Sequence, residues 1–455
     1  MPSLLGRDAL LQPLRDALRD APADEATLWA HRRRAAVTRY SRSEIHQSAL
    51  SDEIHVRATA VVGRSVGVVT GNALDPASLR DLLAGAADLA RLAPPSEEWP
   101  GVAGPGEAAP LRAYDEATAA VAAAEQADAI ARVVAPVERA RLRAAGTHHV
   151  DLTEDAVATS AGAAHYAPAT VAYLRALVQS EVGSGYAEDL GSRVAALDPD
   201  GVAARAIDKC ALDRDRLQLA PGEYEAVFEE LAVAEILRVV SLTGLSAQAV
   251  REGRSFMSGR LGEQVTGERF TLHDDPLDPR TLGIPFDCEG TPKRRVTLVE
   301  RGIARGPVHD RTTARAAGTR STGHAADPGR YQTGGHAGNL TMAGGTSSRE
   351  RLVGSVRRGV LITRFHYTNM PDPRRATMTG TSRDGTFLIE DGRITRALAN
   401  VRYTMSALDL FAGIELLGPQ RLARDWWSSN GMGSVVCLAP AMKVARAAIT
   451  GSSPA

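Results

Sequence analysis

PGEYEAVFEELAVAEIL, residues 221–237, decides how the chain is to be read. From Glu223 to Phe228 the apolar positions Tyr224, Ala226 and Phe228 alternate, as one face of a strand requires. From Glu229 onward Val233, Ile236, Leu237 and Val240 recur at helical spacing, so a strand is predicted to feed directly into a helix. Two imidazoles on the first turns of such a helix can converge on one metal ion while a neighbouring glutamate activates water. Here Glu229 and Glu230 are present and no histidine is.

Around this junction the composition is that of a globular protein. With 455 residues, 44% hydrophobic and 24% charged, the chain is long enough for two or three domains with sizeable cores. Its 53 basic and 54 acidic residues leave a formal charge of -1, and aromatics are 4%. That balance argues against nucleic-acid and anionic-membrane partners, which call for a basic excess and stacking rings. Cys210, Cys288 and Cys437 are widely separated and odd in number, so no disulfide framework is expected and a cytoplasmic setting fits. The first 20 residues mix Arg and Asp with Leu, which reads as an amphipathic helix and not a signal peptide. No apolar run reaches the length of a membrane span.

Before residue 221, strands are expected at 37–45 and 54–62, with Gly63-Arg64 as a hairpin turn, and a helix from Asp75-Pro76 to about 93. A Pro- and Gly-rich loop covers 93–110, and the alanine-rich 114–145 reads as helical. Strands follow at 149–160 and 170–179, GSG at 183–185 breaks the pattern, and a helix runs over about 202–217. The order helix, strands, helix occurs twice, which suggests a pseudo-repeat. Beyond the junction, VTLVERGI, GVLITRFHYTN and FLIEDGRITRALANVRYT are β-rich, with Asp391-Gly392 as a hairpin turn. The fold class is therefore α+β: a mixed N-terminal domain over 1–218 and an antiparallel, barrel-like domain over 219–455. The long glycine-rich stretch 318–348 is either functional or mobile.

Several residues are candidates for chemistry. His148-His149 with Asp151 is the densest cluster of metal-ligand types, yet neighbours on a strand face opposite ways, and a partly exposed strand start is the plainer reading. Asp274-Asp275-Pro276 and Asp287-Cys288-Glu289 are either paired carboxylates or turns, the turn being preferred. Cys437 reads as a small buried strand residue, and GMGSVV at Gly431 as a turn. RSTGHA, with Ser321, Thr322, Gly323 and His324, and GGTSSRE, with Gly344, Gly345 and Thr346, would suit either a groove for an extended peptide or a mobile surface.

In order, PGEYEAVFEELAVAEIL, SGRLGEQVTGERFTLHDDP, FDCEGTP, LVERGI, RSTGHA, SSRERL and GVLITRF resemble the TldD/PmbA family, once labelled modulators of DNA gyrase. GRSVGVVTGNALDPASL at 63–79 is similar to that family's first domain. The TldD type carries H-E-x-x-x-H on the helix after the PG strand, supplying two zinc ligands and the catalytic glutamate. The resemblance sets this motif on Phe228, Glu229 and Val233, where only the glutamate is kept. It thus implies a PmbA (TldE)-like, non-catalytic chain without its own cofactor, paired in the cytoplasm with a TldD-like subunit that holds zinc. The pair would act on unfolded or modified peptides, this chain shaping the chamber that admits them. An independent hydrolase using His309 and Asp310, or His324 with Ser321, and a homo-oligomeric peptide-binding protein are the alternative readings.

Overall fold

The computed structural model describes residues 4–111, 113–326, 334–424 and 435–453. Its first sheet is made twice over from one pattern. Helix α1 (Arg7–Arg19) leads into the meander β1 (Glu25–Ser41), β2 (Glu44–Val62) and β3 (Ser65–Gly71), which ends on α2 (Pro76–Leu92). After the short α3 (Glu116–Ala119), α4 (Ala123–Arg139) leads into β4 (Arg143–Thr159), β5 (Ala164–Gln179) and β6 (Ser184–Gly191), which ends on α5 (Pro199–Leu212). The six strands lie in the order β3-β2-β1-β4-β5-β6. At the centre β1 and β4 run antiparallel, with Thr27 opposite Thr159 and Tyr40 opposite Gly146.

The repeat extends to atoms. The last helix of each unit opens on Asp-Pro: Asp75 accepts from the N–H groups of Ala77 and Ser78, and Asp198 from Gly201 N–H. In both, proline occupies the first turn, where its missing N–H costs nothing. In both, a strand glycine lets that helix approach closely. A Cβ at Gly67 would collide with the Ala86 carbonyl and Ala90 nitrogen, and a Cβ at Gly185 with the Ala206 carbonyl and Cys210 nitrogen. Gly183–Gly185, expected to break the pattern, therefore leads into β6 (Ser184–Gly191). The glycine is required there by helix packing, which a propensity reading cannot see. Likewise the helical stretch expected over 114–145 is two helices, and β4 begins at Arg143.

The second half forms an 11-stranded sheet. It contains β7 (Gly222–Phe228), α6 (Glu230–Gly244), α7 (Ala247–Arg251), β8 (Leu272–Asp274), β9 (Val296–Glu300), β10 (Ile303–Ala304), α8 (Arg311–Ala316) and β11 (Asn339–Met342). There follow α9 (Arg349–Gly354), β12 (Arg358–Asp372), β13 (Thr377–Glu390), β14 (Arg393–Ala397), β15 (Val401–Ser406), α10 (Ala407–Ala412), β16 (Ile414–Ala423) and β17 (Val436–Ser452). The strands β17, β15, β13, β12 and β7 pair in succession, and β7 pairs again with β17, so this part closes on itself as a barrel-like ring. The sheet is not antiparallel throughout, because β7 runs parallel to β12 and β11 parallel to β17. The reason is topological: β7 enters the ring between two strands that themselves run in opposite directions. No helix among the described residues is long and apolar enough to cross a membrane.

Period-two alternation sorts the first sheet's residues between two environments. Leu28, Ala30, Val56 and Ala58 turn outward beneath α1 and α2. Val157 and Tyr173 turn inward, where Phe286 and Val436 of the second half pack on them. The halves thus meet across the inner face of the first sheet, and two cavities open there.

Candidate functional site

At the β7–α6 junction the burial of β7 rises along the strand, from exposed Gly222 to fully buried Phe228. Glu229 leaves the strand with an extended backbone (φ -73°, ψ 166°) and becomes the residue before the helix. Its N–H still donates to the Ile362 carbonyl at 3.0 Å, while its own carbonyl accepts from Val233 N–H. One residue therefore finishes the sheet pairing and begins the helix. The flanking positions, on which the resemblance sets the two histidines, are core: Phe228 and Val233 are both 0% exposed, and the Phe228 ring lies 5.6 Å from that of Phe365.

The Glu229 carboxylate is held by two cations. Lys209 Nζ, from α5, donates to Oε2 at 2.6 Å, and Arg349 Nε, the first residue of α9, donates to Oε1 at 3.1 Å. Lys209 also reaches the Tyr186 carbonyl at 3.2 Å. Burial pulls the Glu229 pKa upward, but the Lys209 ammonium and the Arg349 guanidinium outweigh it and hold the group below its ordinary range. Neighbouring Glu230 moves the other way, raised by burial and by Glu229. These residues do not fit zinc. Two of the three motif positions carry no donor atom, and the third has both oxygens on positive charges. Glu229 precedes the helix as its N-cap residue, and its side chain makes no cap hydrogen bond.

The two small-residue loops go to different places. In RSTGHA, Thr322 and His324 are buried, and Gly323 takes a positive φ where a Cβ would strike the Pro292 carbonyl. His324 Nε2 pairs with Asp274 Oδ1 at 2.8 Å, and its Nδ1 lies 2.8 Å from the Thr322 carbonyl. Ser321 Oγ donates instead to the His309 carbonyl at 3.2 Å, so Ser321 and His324 do not form a nucleophile and base pair. Gly344, Gly345 and Thr346 follow β11 and run against β16, where Gly345 N–H donates to the Gly418 carbonyl at 2.7 Å. That second loop delivers Arg349 to Glu229.

The remaining sequence candidates resolve individually. His148 and His149 do face opposite ways, but neither is at a partly exposed strand start. Both are buried within β4, because the flanking repeat covers one face and the second half covers the other. His149 Nε2 pairs with Asp151 Oδ2 at 2.7 Å. Asp275 makes the expected turn, accepting from Leu277 N–H, whereas Asp274 closes β8 and binds His324. Asp287 accepts from the N–H groups of Glu289 and Thr291, the predicted turn. Burial, with Asp287 and Asp310 nearby, pushes Glu289 up to about 8. Asp310 caps α8, and Cys437 is buried in β17. Gly431 lies outside the described residues.

The cavities add residues that the sequence reading passed over. One, of about 360 Å³, has β1 and β4 as its floor and residues from 282–293, 324–326 and 336–339 as its roof. Two histidine–carboxylate pairs share the floor, His149 with Asp151 and His31 Nδ1 with Asp155 Oδ1 at 3.0 Å. The alternation Trp29-x-His31-x-Arg33 and His149-x-Asp151-x-Thr153-x-Asp155 marks both strands as polar on one face, a signal that period-two counting could have found. Lys209 and Arg349 carried no such signal, since nothing local ties them to Glu229.

The family model of the PmbA/TldA metallopeptidase C-terminal domain matches residues 221–451. A metalloprotease TldD homolog of Haemophilus influenzae is 28% identical over 180 residues, 38% of this chain and 36% of that protein. The metalloprotease PmbA of Escherichia coli O157:H7 is 26% identical over 204 residues, 44% of this chain and 41% of that one. The chain thus aligns with well under half the length of these relatives. In fold, the crystal structure of TldE from Thermococcus kodakarensis matches with a TM-score of 0.87 at 21% identity, over 96% of this chain and all of that one. With more than half of its length matched by the family model, this chain belongs to the PmbA/TldD metallopeptidase family.

Proposed function

We propose that this chain is a PmbA/TldE-like, non-catalytic subunit of a heteromeric TldD-type zinc metallopeptidase in the cytoplasm. It shapes the chamber and guides unfolded or modified peptides to a TldD-like partner, which holds the zinc. One observation carries the reading. At the positions where the family's resemblance sets the metal-binding motif, Phe228 and Val233 are fully buried apolar residues and Glu229 is bound by Lys209 and Arg349. A carboxylate held that way is not poised to activate water, because two charge-assisted hydrogen bonds lower its basicity.

The test is expression of the chain alone and together with a TldD-like protein. The chain alone is expected to bind no stoichiometric zinc and to leave an unfolded peptide uncut, while the co-purified pair binds zinc and cleaves it. Stoichiometric zinc and peptide hydrolysis by the chain alone would overturn the reading.

A further inference from the structure

The chain is arginine-rich. Of its 53 basic residues only Lys209, Lys293 and Lys443 are lysines. Two of the three are locked: Lys209 on Glu229 at 2.6 Å, and Lys443 between Glu225, at 2.9 Å, and Glu415. Lys293 is different. It lines the roof of the 360 Å³ cavity and makes no side-chain hydrogen bond or ion pair with any described residue.

Its carboxylate neighbours are committed elsewhere. Lys293 acts electrostatically on Asp274 and Asp287. Asp274, however, accepts from His324 Nε2 and Asn339 N–H. Asp287 accepts from the N–H groups of Glu289, Thr291 and Ala325. Across the cavity, Arg33 and Asp151 cancel one another at 2.8 Å, and Asp155 holds His31. Arg424 also lines the cavity and acts electrostatically on Asp151, so among the described residues Lys293 is the ammonium whose neighbouring carboxylates are hydrogen-bonded to other groups. A half-buried cation of this kind gains most from one anionic oxygen group on a ligand. A dianion would meet Asp151, Asp155 and Asp287 at close range, which favours a singly charged partner. The cavity's lining also includes the apolar side chains of Ile284, Phe286 and Val171, which suits a hydrophobic group bearing the charge.

We propose that the cavity between the first sheet and residues 282–293, 324–326 and 336–339 binds the carboxylate of an apolar organic acid, with Lys293 as its anchoring cation. The source is either the C-terminus of a peptide ending in an apolar residue or a free branched acid. The volume admits about one or two residues of a peptide, comparable with the smaller end of ligand pockets. The inference goes beyond the subunit role and does not depend on it, since the site lies wholly within this chain.

The test uses the full-length chain and fluorescence anisotropy with labelled Ala-Ala-Leu, carrying either a free or an amidated C-terminus, and isovalerate as competitor. The free carboxylate is expected to bind at least about tenfold more tightly than the amide, the scale of one charge-assisted hydrogen bond. Lys293→Met is expected to lose that advantage and Lys293→Arg to keep part of it, with melting temperatures checked for each. Lys293→Gln replaces the Met variant should that one unfold. Saturable isovalerate binding without peptide binding, measured calorimetrically and lost in Lys293→Met, assigns the site to a free acid and still supports it. Equal binding of free and amidated peptide with no isovalerate binding, undiminished binding by a folded Lys293→Met, or no binding of any probe overturns the proposal. None of these readouts needs zinc, a partner subunit or catalysis, so they fail independently of the subunit reading.

Discussion

At Glu229 a buried carboxylate is held between two cations, Lys209 and Arg349. Its partner Lys209 is nearly buried, so removing the carboxylate leaves an uncompensated ammonium. Glu229→Ala should cost about 3 kcal/mol in chemical denaturation, the scale of breaking a buried ion pair. The double variant Lys209→Met with Glu229→Leu should recover most of that loss, because apolar pairs of similar volume often replace a buried pair without penalty. Additive losses in that cycle would show that the two do not act as a pair. His148 makes a second prediction at this scale. Burial holds it down to about 4 from 6.5, with both ring nitrogens lacking a partner. The unfolded chain therefore binds the proton first as pH falls, and stability should drop between about pH 6.5 and 4, by about 3 kcal/mol in total, and level off below that range. His148→Leu should flatten that part of the stability profile relative to the parent. An unchanged slope would mean that other groups set it.

At the scale of elements, the first half was partly legible because its repeat is written in local chemistry. LDP occurs before α2 at Leu74–Pro76 and before α5 at Leu197–Pro199, and in each case the aspartate caps the helix it introduces. The helix and hairpin over 54–93 were correctly placed from such signals. The strand β6 is not legible from propensity, which disfavours Gly185 in a strand, because the position is decided by an approaching helix. Gly67→Ala and Gly185→Ala should each destabilise by about 2 kcal/mol, the usual cost of overpacking, since the methyl collides with rigid helix backbone. Thermal melts of both variants check this, and a neutral result at both positions would mean that α2 and α5 can shift outward freely. Neither substitution strains the backbone itself, as neither glycine has a positive φ.

At the scale of the molecule, we propose that 1–218 and 219–455 are separate domains held together by side chains. Lys209 reaches Glu229 across the division, Ser184 Oγ donates to Asp384 Oδ1 at 2.9 Å, and Arg364 pairs with Asp384 while stacking 4.4 Å over the Tyr186 ring. A protease site inserted between Arg214 and Asp215, in the connection after α5, should allow clean cleavage with both pieces still co-eluting on gel filtration. Separation of the pieces after cleavage would show that the covalent link, and not this packing, keeps the halves joined.

The sequence by itself determined the strand feeding a helix at 221–237 and the doubled helix–strands–helix order. Both follow from periodicity and caps within short stretches of chain, whereas setting a metal-binding motif on Phe228 and Val233 rests on the family resemblance. Only the tertiary structure decided what Glu229 does and what surrounds Lys293. The two cations that settle the first come from α5 and α9, 20 and 120 positions from Glu229. Charge partnership at that separation is set by packing across the two halves, and no local pattern encodes it.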